Sequence, residues 1–212
     1  MVVLRYLFFM KYPKPLEKVI RLFSQFPGVG KRTGARYAFD FLLEWDQSKV
    51  EEFLSALRDV REELSFCAEC GALQDGGGCV FCHNPSRRKD LLCLVANAKD
   101  IFSIEATGEF HGVYQVLGSL LSPLDSFFFD KTEHMNHFAC VKKRLEEGSV
   151  KEVIIALDST LEGDATALYL KEMLQEHQVS CSRIAFGIPV GSVLEYVDGG
   201  TLARAFSGRV GF

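Results

Sequence analysis

Two C-x-x-C knuckles, Cys67 with Cys70 and Cys79 with Cys82, stand either side of an eight-residue loop, and this spacing constrains the chain more than any other feature. Each knuckle aims two thiolates at one point, and four thiolates complete a tetrahedron around a zinc ion with no position left for substrate or activated water. The spacing therefore predicts a structural Zn²⁺ site, not a catalytic one. The loop segment Gln74-Asp75-Gly76-Gly77-Gly78 carries almost no apolar surface. Metal binding is expected to supply its folding energy, on the order of 10 kcal/mol.

Other uses of the cysteines fit less well. The chain has seven, an odd number, in 212 residues, which is not the pattern of a small disulfide-stapled domain. A redox C-x-x-C follows a strand in a thioredoxin-like unit, whereas here two knuckles face each other after a helical stretch. Cys93, Cys140 and Cys181 sit in apolar contexts and read as buried small hydrophobes.

A composition of 48% hydrophobic and 25% charged residues is that of an ordinary globular protein, with length for one large core or two smaller ones. No apolar run approaches the roughly 20 residues that span a bilayer. The opening Met1 to Met10 lacks the small-residue cleavage site of a signal peptide. Met10 offers an alternative start. Reduced thiols without an export signal imply a cytoplasmic protein and no membrane partner.

The net charge of −4 argues at first against a nucleic-acid partner, but its distribution reverses the impression. From Lys11 to Phe39 stand seven basic residues, Lys11, Lys14, Lys18, Arg21, Lys31, Arg32 and Arg36, against the single acid Glu17. The stretch from Asp40 to Phe66 is acidic. Positive potential is thus concentrated on one small region, as a phosphate-binding footprint requires.

Leu16, Val19, Ile20 and Phe23 recur with helical spacing, and the helix they predict ends at Phe26-Pro27. A second helix follows with Ala35, Ala38, Phe39 and Leu42 on its apolar side, and a third carries Val50, Phe53, Leu54, Leu57 and Leu64. Between the first two lies Pro27-Gly28-Val29-Gly30, where Gly28 and Gly30 let the backbone approach a ligand and turn N–H groups toward it. Lys31, Arg32 and Arg36 would flank a phosphate held at that helix N-terminus. The unit resembles a helix-hairpin-helix, which grips nucleic-acid backbone without reading bases. A simple αα-hairpin with glycine caps is the plainer alternative. A Walker A loop is excluded, because Gln25 stands where its first glycine belongs and Arg32 where its Ser or Thr belongs.

After Arg87-Arg88-Lys89 the pattern becomes alternating. Leu91 to Val95, Tyr114 to Leu117, Glu152 to Leu157 and Arg183 to Phe186 read as strands; Lys99 to Ile104, Cys140 to Glu147 and Ala165 to Glu176 read as helices. This order predicts a parallel sheet covered by helices. Chemistry in such sheets gathers at the carboxyl ends of strands. There the chain carries Asp158, Glu162 and Asp164, oxygen ligands that could hold Mg²⁺ weakly or simply favour a helix N-terminus through its dipole.

The region looks like a Toprim domain, in which acids at strand ends hold Mg²⁺ against phosphate. The acid that family places after its first strand falls here on Ala96, which can neither transfer a proton nor ligate metal. Toprim catalysis is therefore not expected. His134 and His137 lack a metal-type partner motif and read as surface or core residues.

The order of parts is more specific than any one of them. A P-G-V-G hairpin, a C-x2-C-x8-C-x2-C element and a Toprim-like domain containing Leu121-Ser122-Pro123-Leu124-Asp125, Ala185 to Gly191 and Val197-Asp198-Gly199 together are similar to the RecR family of bacterial recombination proteins. The resemblance runs from Lys14 to Arg209. It implies α/β architecture with an N-terminal helical part, divided as a helix-hairpin-helix domain (1–66), a four-cysteine zinc finger (67–82), a Toprim domain (90–190) and a C-terminal segment (191–212). It also implies a non-enzymatic DNA-repair factor, assembling as a tetrameric ring and acting with RecO and RecF to load the recombinase RecA on gapped DNA.

Carried onto this sequence, the family's DNA-contacting positions fall on Arg32 and Arg36, with Lys31 a local addition, and its zinc ligands on the four cysteines. Phe127-Phe128-Phe129 stands where the family usually has a more polar loop, as either a buried strand or a partner patch. Two other classes compete with the clamp. One is a Mg²⁺-dependent Toprim nuclease or primase; the other is a zinc-containing adaptor that binds only protein.

Overall fold

A computed structural model describes residues 12–122, 132–209 and 211. Met10, Lys11, Pro123 to Asp125 and Phe127-Phe128-Phe129 lie outside the described residues, as do the side chains of His134 and His137. The chain divides after Glu62 into two compact units.

The first unit is helical, with α1 (Lys14–Phe23), α2 (Lys31–Leu43) and α3 (Gln47–Glu62). Proline in the first turn of α1 costs nothing, because no intrahelical N–H is needed there, and Glu17 and Arg21 complement the helix dipole at opposite ends. The turn into α2 requires Gly28, whose φ of +78° is the left-handed conformation that a side chain resists. The two helices then approach closely at Gly34, where a Cβ would lie 2.5 Å from Ser24 Oγ and 3.0 Å from the Ile20 carbonyl.

This close seam corrects the expected face of α2. Gly34 and Ala38, one turn apart, are its buried residues, while Phe39 and Leu42 are exposed. Small residues let the backbones meet, and meeting there rotates the larger side chains outward. Along α3 no residue is buried, and the expected packing face leaves Leu54 and Leu57 about half exposed, at 52% and 50%. Trp45 packs between Phe41 and Phe53, with ring centroids 5.3 and 5.4 Å away.

The second unit opens with a two-stranded antiparallel ribbon, β1 (Ser65–Phe66) and β2 (Leu73–Gln74). There follow β3 (Arg88–Val95), α4 (Ala98–Glu105), β4 (Gly112–Val116), α5 (Thr132–Glu146), β5 (Glu152–Ala156), α6 (Leu161–Glu176) and β6 (Ser180–Arg183). A short 3-10 turn (Leu194–Tyr196) and α7 (Gly199–Ser207) complete the chain. The four longer strands form a parallel sheet in the order β4-β3-β5-β6, the architecture expected from the alternating pattern.

Side-chain alternation along the strands divides the core in two. Leu92, Leu94, Val153 and Ile155 face one side, with Val141 and Leu145 of α5 and Leu170 and Leu174 of α6. Cys93, Val95, Tyr114 and Val116 face the other, with Ile101 of α4 and the four knuckle cysteines. Both faces are covered, so the strands read as nearly continuous apolar runs. The last strand ends at Arg183, whereas Arg183 to Phe186 had the strand pattern. Phe186 instead lies against guanidinium groups, Arg183 at 4.4 Å and Arg204 at 5.4 Å from its ring centre.

The cysteine knob docks on the edge strand of this sheet. Val116 donates its N–H to the Cys70 carbonyl at 2.8 Å, and Gly71 at φ +75° lies so close that a Cβ would sit 2.8 Å from Val116 Cβ. Gly71→Ala should therefore lower stability by about 2 kcal/mol through combined backbone strain and overpacking, seen as a lower denaturation midpoint with an unchanged m-value.

Candidate metal centre and nucleic-acid interface

Backbone hydrogen bonds shape each cysteine knuckle. Cys67 N–H donates to the Ala72 carbonyl and Gly71 N–H to the Cys67 carbonyl, each at 2.8 Å, folding the first knuckle back on itself. In the second, Cys82 N–H points at Cys79 Sγ at 3.4 Å, and Cys79 N–H donates to His83 Nδ1 at 3.3 Å. All four cysteines are buried, and their sulfur atoms lie within 4.8 Å of one another, Cys70 and Cys79 at 3.5 Å. Zn–S bonds of about 2.3 Å in a tetrahedron place sulfurs about 3.8 Å apart, so the donor set fits Zn²⁺ with little movement.

The thiols are shifted in opposite directions, burial pushing Cys79 up while Cys82 goes down. The Cys82 thiol is pushed down to about 6, first by the hydrogen bond from Cys70 and then by Arg144, which donates to Cys82 Sγ at 3.2 Å. Cys70 moves the opposite way, because it supplies that proton and is also buried. One thiolate stabilised by its neighbours is what a soft cation displaces protons to join.

The knob is not held by metal alone, as the polar loop had suggested. Ala72 and Phe81 join the sheet's core, and Phe81 meets Tyr114 edge-on at 5.2 Å. Arg87 lies over Phe81 at 4.9 Å and pairs with Glu105, which also accepts from the Tyr114 hydroxyl at 2.5 Å. Among the other cysteines, burial pushes Cys93 up to about 12, an inert thiol, while Cys140 and Cys181 are only partly buried.

At the carboxyl edge of the sheet, the acids are not gathered. Among the described residues, the four cysteines are the only group of three or more Cys, His, Asp or Glu side chains whose ligand atoms converge. Glu162 and Asp164 occupy the first turn of α6, capped by Thr160, whose hydroxyl accepts from Gly163 N–H at 3.0 Å. Both Asp164 oxygens are taken, one by Arg183 and one by Arg204, each at 2.7 Å. Asp158 forms no ligand cluster with them. Ala96, where a Toprim glutamate is expected, is buried and its carbonyl accepts from Gly118 N–H at 3.0 Å.

In the helical unit, α2 begins directly at Gly30 with no side-chain cap and no acid in its first turn. Lys31, Arg32 and Arg36 are all exposed. Gly28 and Gly30 face open space, with nothing within 4 Å of where a Cβ would stand. The hairpin thus presents an accessible helix N-terminus among cations with no acid in that first turn. Gly34, which sets how α1 and α2 meet, was not singled out by sequence reasoning; its small-residue spacing with Ala38 was the available signal.

The geometry defines a Toprim-type protein with an added four-cysteine centre, and comparison with known proteins agrees. The Toprim domain profile matches residues 90–185, and the profile described as RecR, C-terminal matches residues 187–210. The chain is 45% identical over 203 residues to the recombination protein RecR of Protochlamydia amoebophila (strain UWE25), covering 96% of this chain and all of that protein. It is 45% identical over 202 residues to that of Chlamydia caviae and 43% to that of Chlamydia trachomatis serovar D, each covering 94% of this chain and 98% of the relative. The chain belongs to the RecR family of recombination proteins. A Toprim match does not by itself make it a nuclease. No helix among the described residues is long and apolar enough to cross a membrane.

The site chemistry can be tested at both ends of the sheet. Arg204 first, and Arg183 second, hold the Asp164 carboxyl below its usual range. A carboxyl depressed in the folded state adds stability that is fully present above the unfolded value of 3.8 and is lost as pH falls through the lower folded value. Asp164→Asn should therefore flatten the acid limb of a stability profile while leaving its shape at neutral pH unchanged. Zn²⁺ added to the metal-free chain should raise its melting temperature, and Cys70→Ser should abolish that rise.

Proposed function

We propose that this chain is a non-enzymatic DNA clamp, in which the glycine hairpin grips the sugar-phosphate backbone and self-association multiplies that grip. The reading rests on the uncapped α2 N-terminus flanked by exposed Lys31, Arg32 and Arg36. Backbone N–H groups and a helix dipole favour an anion there, and three cations reinforce it through phosphate contacts, which carry no sequence information. A single patch of this size holds DNA weakly, and repeating it around one ligand raises its effective concentration.

The helical unit supplies a reason to associate. Leu22, Phe26, Leu54 and Leu57 are exposed around an open apolar groove lined also by Val19, Phe41 and Phe53. A small unit that leaves so much apolar surface in water gains by burying it against a second copy. In this reading residues 1–66 form the DNA-gripping domain, 67–82 a zinc-stapled finger, 90–190 the Toprim domain and 191–212 a C-terminal segment. The assembled form is a tetrameric ring. It works in the cytoplasm with RecO and RecF, promoting RecA loading on gapped DNA.

Zinc is structural in this scheme, held by Cys67, Cys70, Cys79 and Cys82. Magnesium takes no part in it: Asp164 would have to leave two guanidinium groups to join Asp158 and Glu162.

Arg32→Ala combined with Arg36→Ala should weaken binding to all DNA sequences alike and reduce the slope of log affinity against log salt by about 0.9 for each duplex phosphate no longer neutralised. Unchanged affinity across a salt titration would remove the hairpin as the DNA-gripping element. Leu57→Glu should lower the mass of the native assembly without melting the unit, because that side chain is already half exposed within one copy. Cleavage of gapped DNA with Mg²⁺, abolished by Asp158→Ala, would replace the clamp with an enzyme.

A further inference from the structure

Arg144 is an expensive residue to place where it stands. Its side chain is only 12% exposed, it lies on α5 far along the chain from the cysteines, and its Nε has no hydrogen-bond partner. One terminal nitrogen serves both knuckles at once, donating to Glu69 Oε1 in the first at 3.0 Å and to Cys82 Sγ in the second at 3.2 Å. Glu69 also lies 3.9 Å from His83 Nε2, so the guanidinium closes a polar rim across the mouth of the cysteine cluster.

A buried cation needs compensation, and a carboxylate that is more than half exposed supplies only part of it. A second negative group fits the position. Four thiolates around one divalent cation leave a doubly negative cluster, here set among Ala72, Phe81, Ile101 and Val116 in a medium that penalises unbalanced charge. Backbone N–H groups can soften that charge but not cancel it. Arg144 brings a full positive charge to one of the sulfurs, through its hydrogen bond to Cys82 Sγ.

We propose that Arg144 is an outer-shell positioning residue of the metal centre, which offsets part of the tetrathiolate charge and ties metal retention to the seating of α5 against the knob. The proposal rests on the cysteines holding Zn²⁺. It assigns the residue a job distinct from a surface ion pair: Arg144 orients a metal ligand directly, and Glu69 orients Arg144. Outer-shell partners of this kind are worth about 10-fold to 100-fold in metal affinity.

The test uses the full chain loaded with Zn²⁺ and titrated with a chromogenic chelator, then loaded with Co²⁺ to record the sulfur-to-metal charge-transfer band. Arg144→Met is expected to weaken Zn²⁺ affinity by about 10-fold to 100-fold and to shift that band, with Arg144→Lys recovering part of both. Glu69→Gln, which removes only the ion pair, is expected to weaken affinity less than Arg144→Met does. Should Arg144→Met fail to fold, Arg144→Gln is read by the same criteria. A folded neutral variant with wild-type Zn²⁺ affinity and an unshifted Co²⁺ band overturns the proposal, as does Glu69→Gln matching Arg144→Met in both readouts. If the unaltered chain binds no stoichiometric Zn²⁺, the metal reading itself fails, a result separable from the first because it needs no variant.

Discussion

The contact between Cys70 and Val116 organises the second unit. A parallel sheet leaves its outermost strand with unpaired backbone groups, an invitation to pairing with any other chain. Here the first cysteine knuckle covers part of that edge, with its carbonyl accepting from Val116 and Gly71 admitting the approach that any side chain would block. Once the knuckle is seated, its cysteines become part of the sheet's own core beside Tyr114 and Val95. A metal held by these cysteines would sit on the sheet's own core, and a loop too polar to fold alone gains a foundation.

The two ends of the sheet are treated differently. On the β4 side, the edge is covered by the cysteine knob, reinforced by Arg87, Glu105 and Tyr114. On the β6 side, Asp164 engages Arg183 and Arg204 together, joining α6, the end of β6 and α7 through one carboxylate. That arrangement converts an acid expected at a catalytic edge into a structural fastener. The same electrostatics that would have suited a hard cation are satisfied by guanidinium groups, whose planar forks match a carboxylate well. Ala96, just after β3, offers neither a proton to transfer nor a metal ligand at that edge.

The helical unit illustrates a different division of labour. Its hairpin turns through the left-handed Gly28, closes its helix seam at Gly34, and is cationic where solvent reaches it. Along its third helix no side chain is fully buried, and Leu54 and Leu57 stand half exposed. Such a surface is what the proposed assembly would bury, and the proposed phosphate grip would gain from the same repetition.

Local chemistry was legible in the residues alone. The cysteine spacing pointed to four converging thiols able to hold a metal ion, the alternation of strand-like and helix-like runs to a parallel sheet, and glycines between two helical patterns to the hairpin, because each depends on neighbours a few positions away. What lay beyond reach depended on residues brought together by folding. That Gly34 rather than Leu42 forms the helix seam, that Asp164 is occupied by two arginines, and that Arg144 closes the cysteine cluster were settled only by tertiary packing. Partners such as Arg144 and Cys82, 62 positions apart, leave no periodic trace in sequence, since their pairing is chosen by how α5 crosses the sheet and by the need to compensate buried charge.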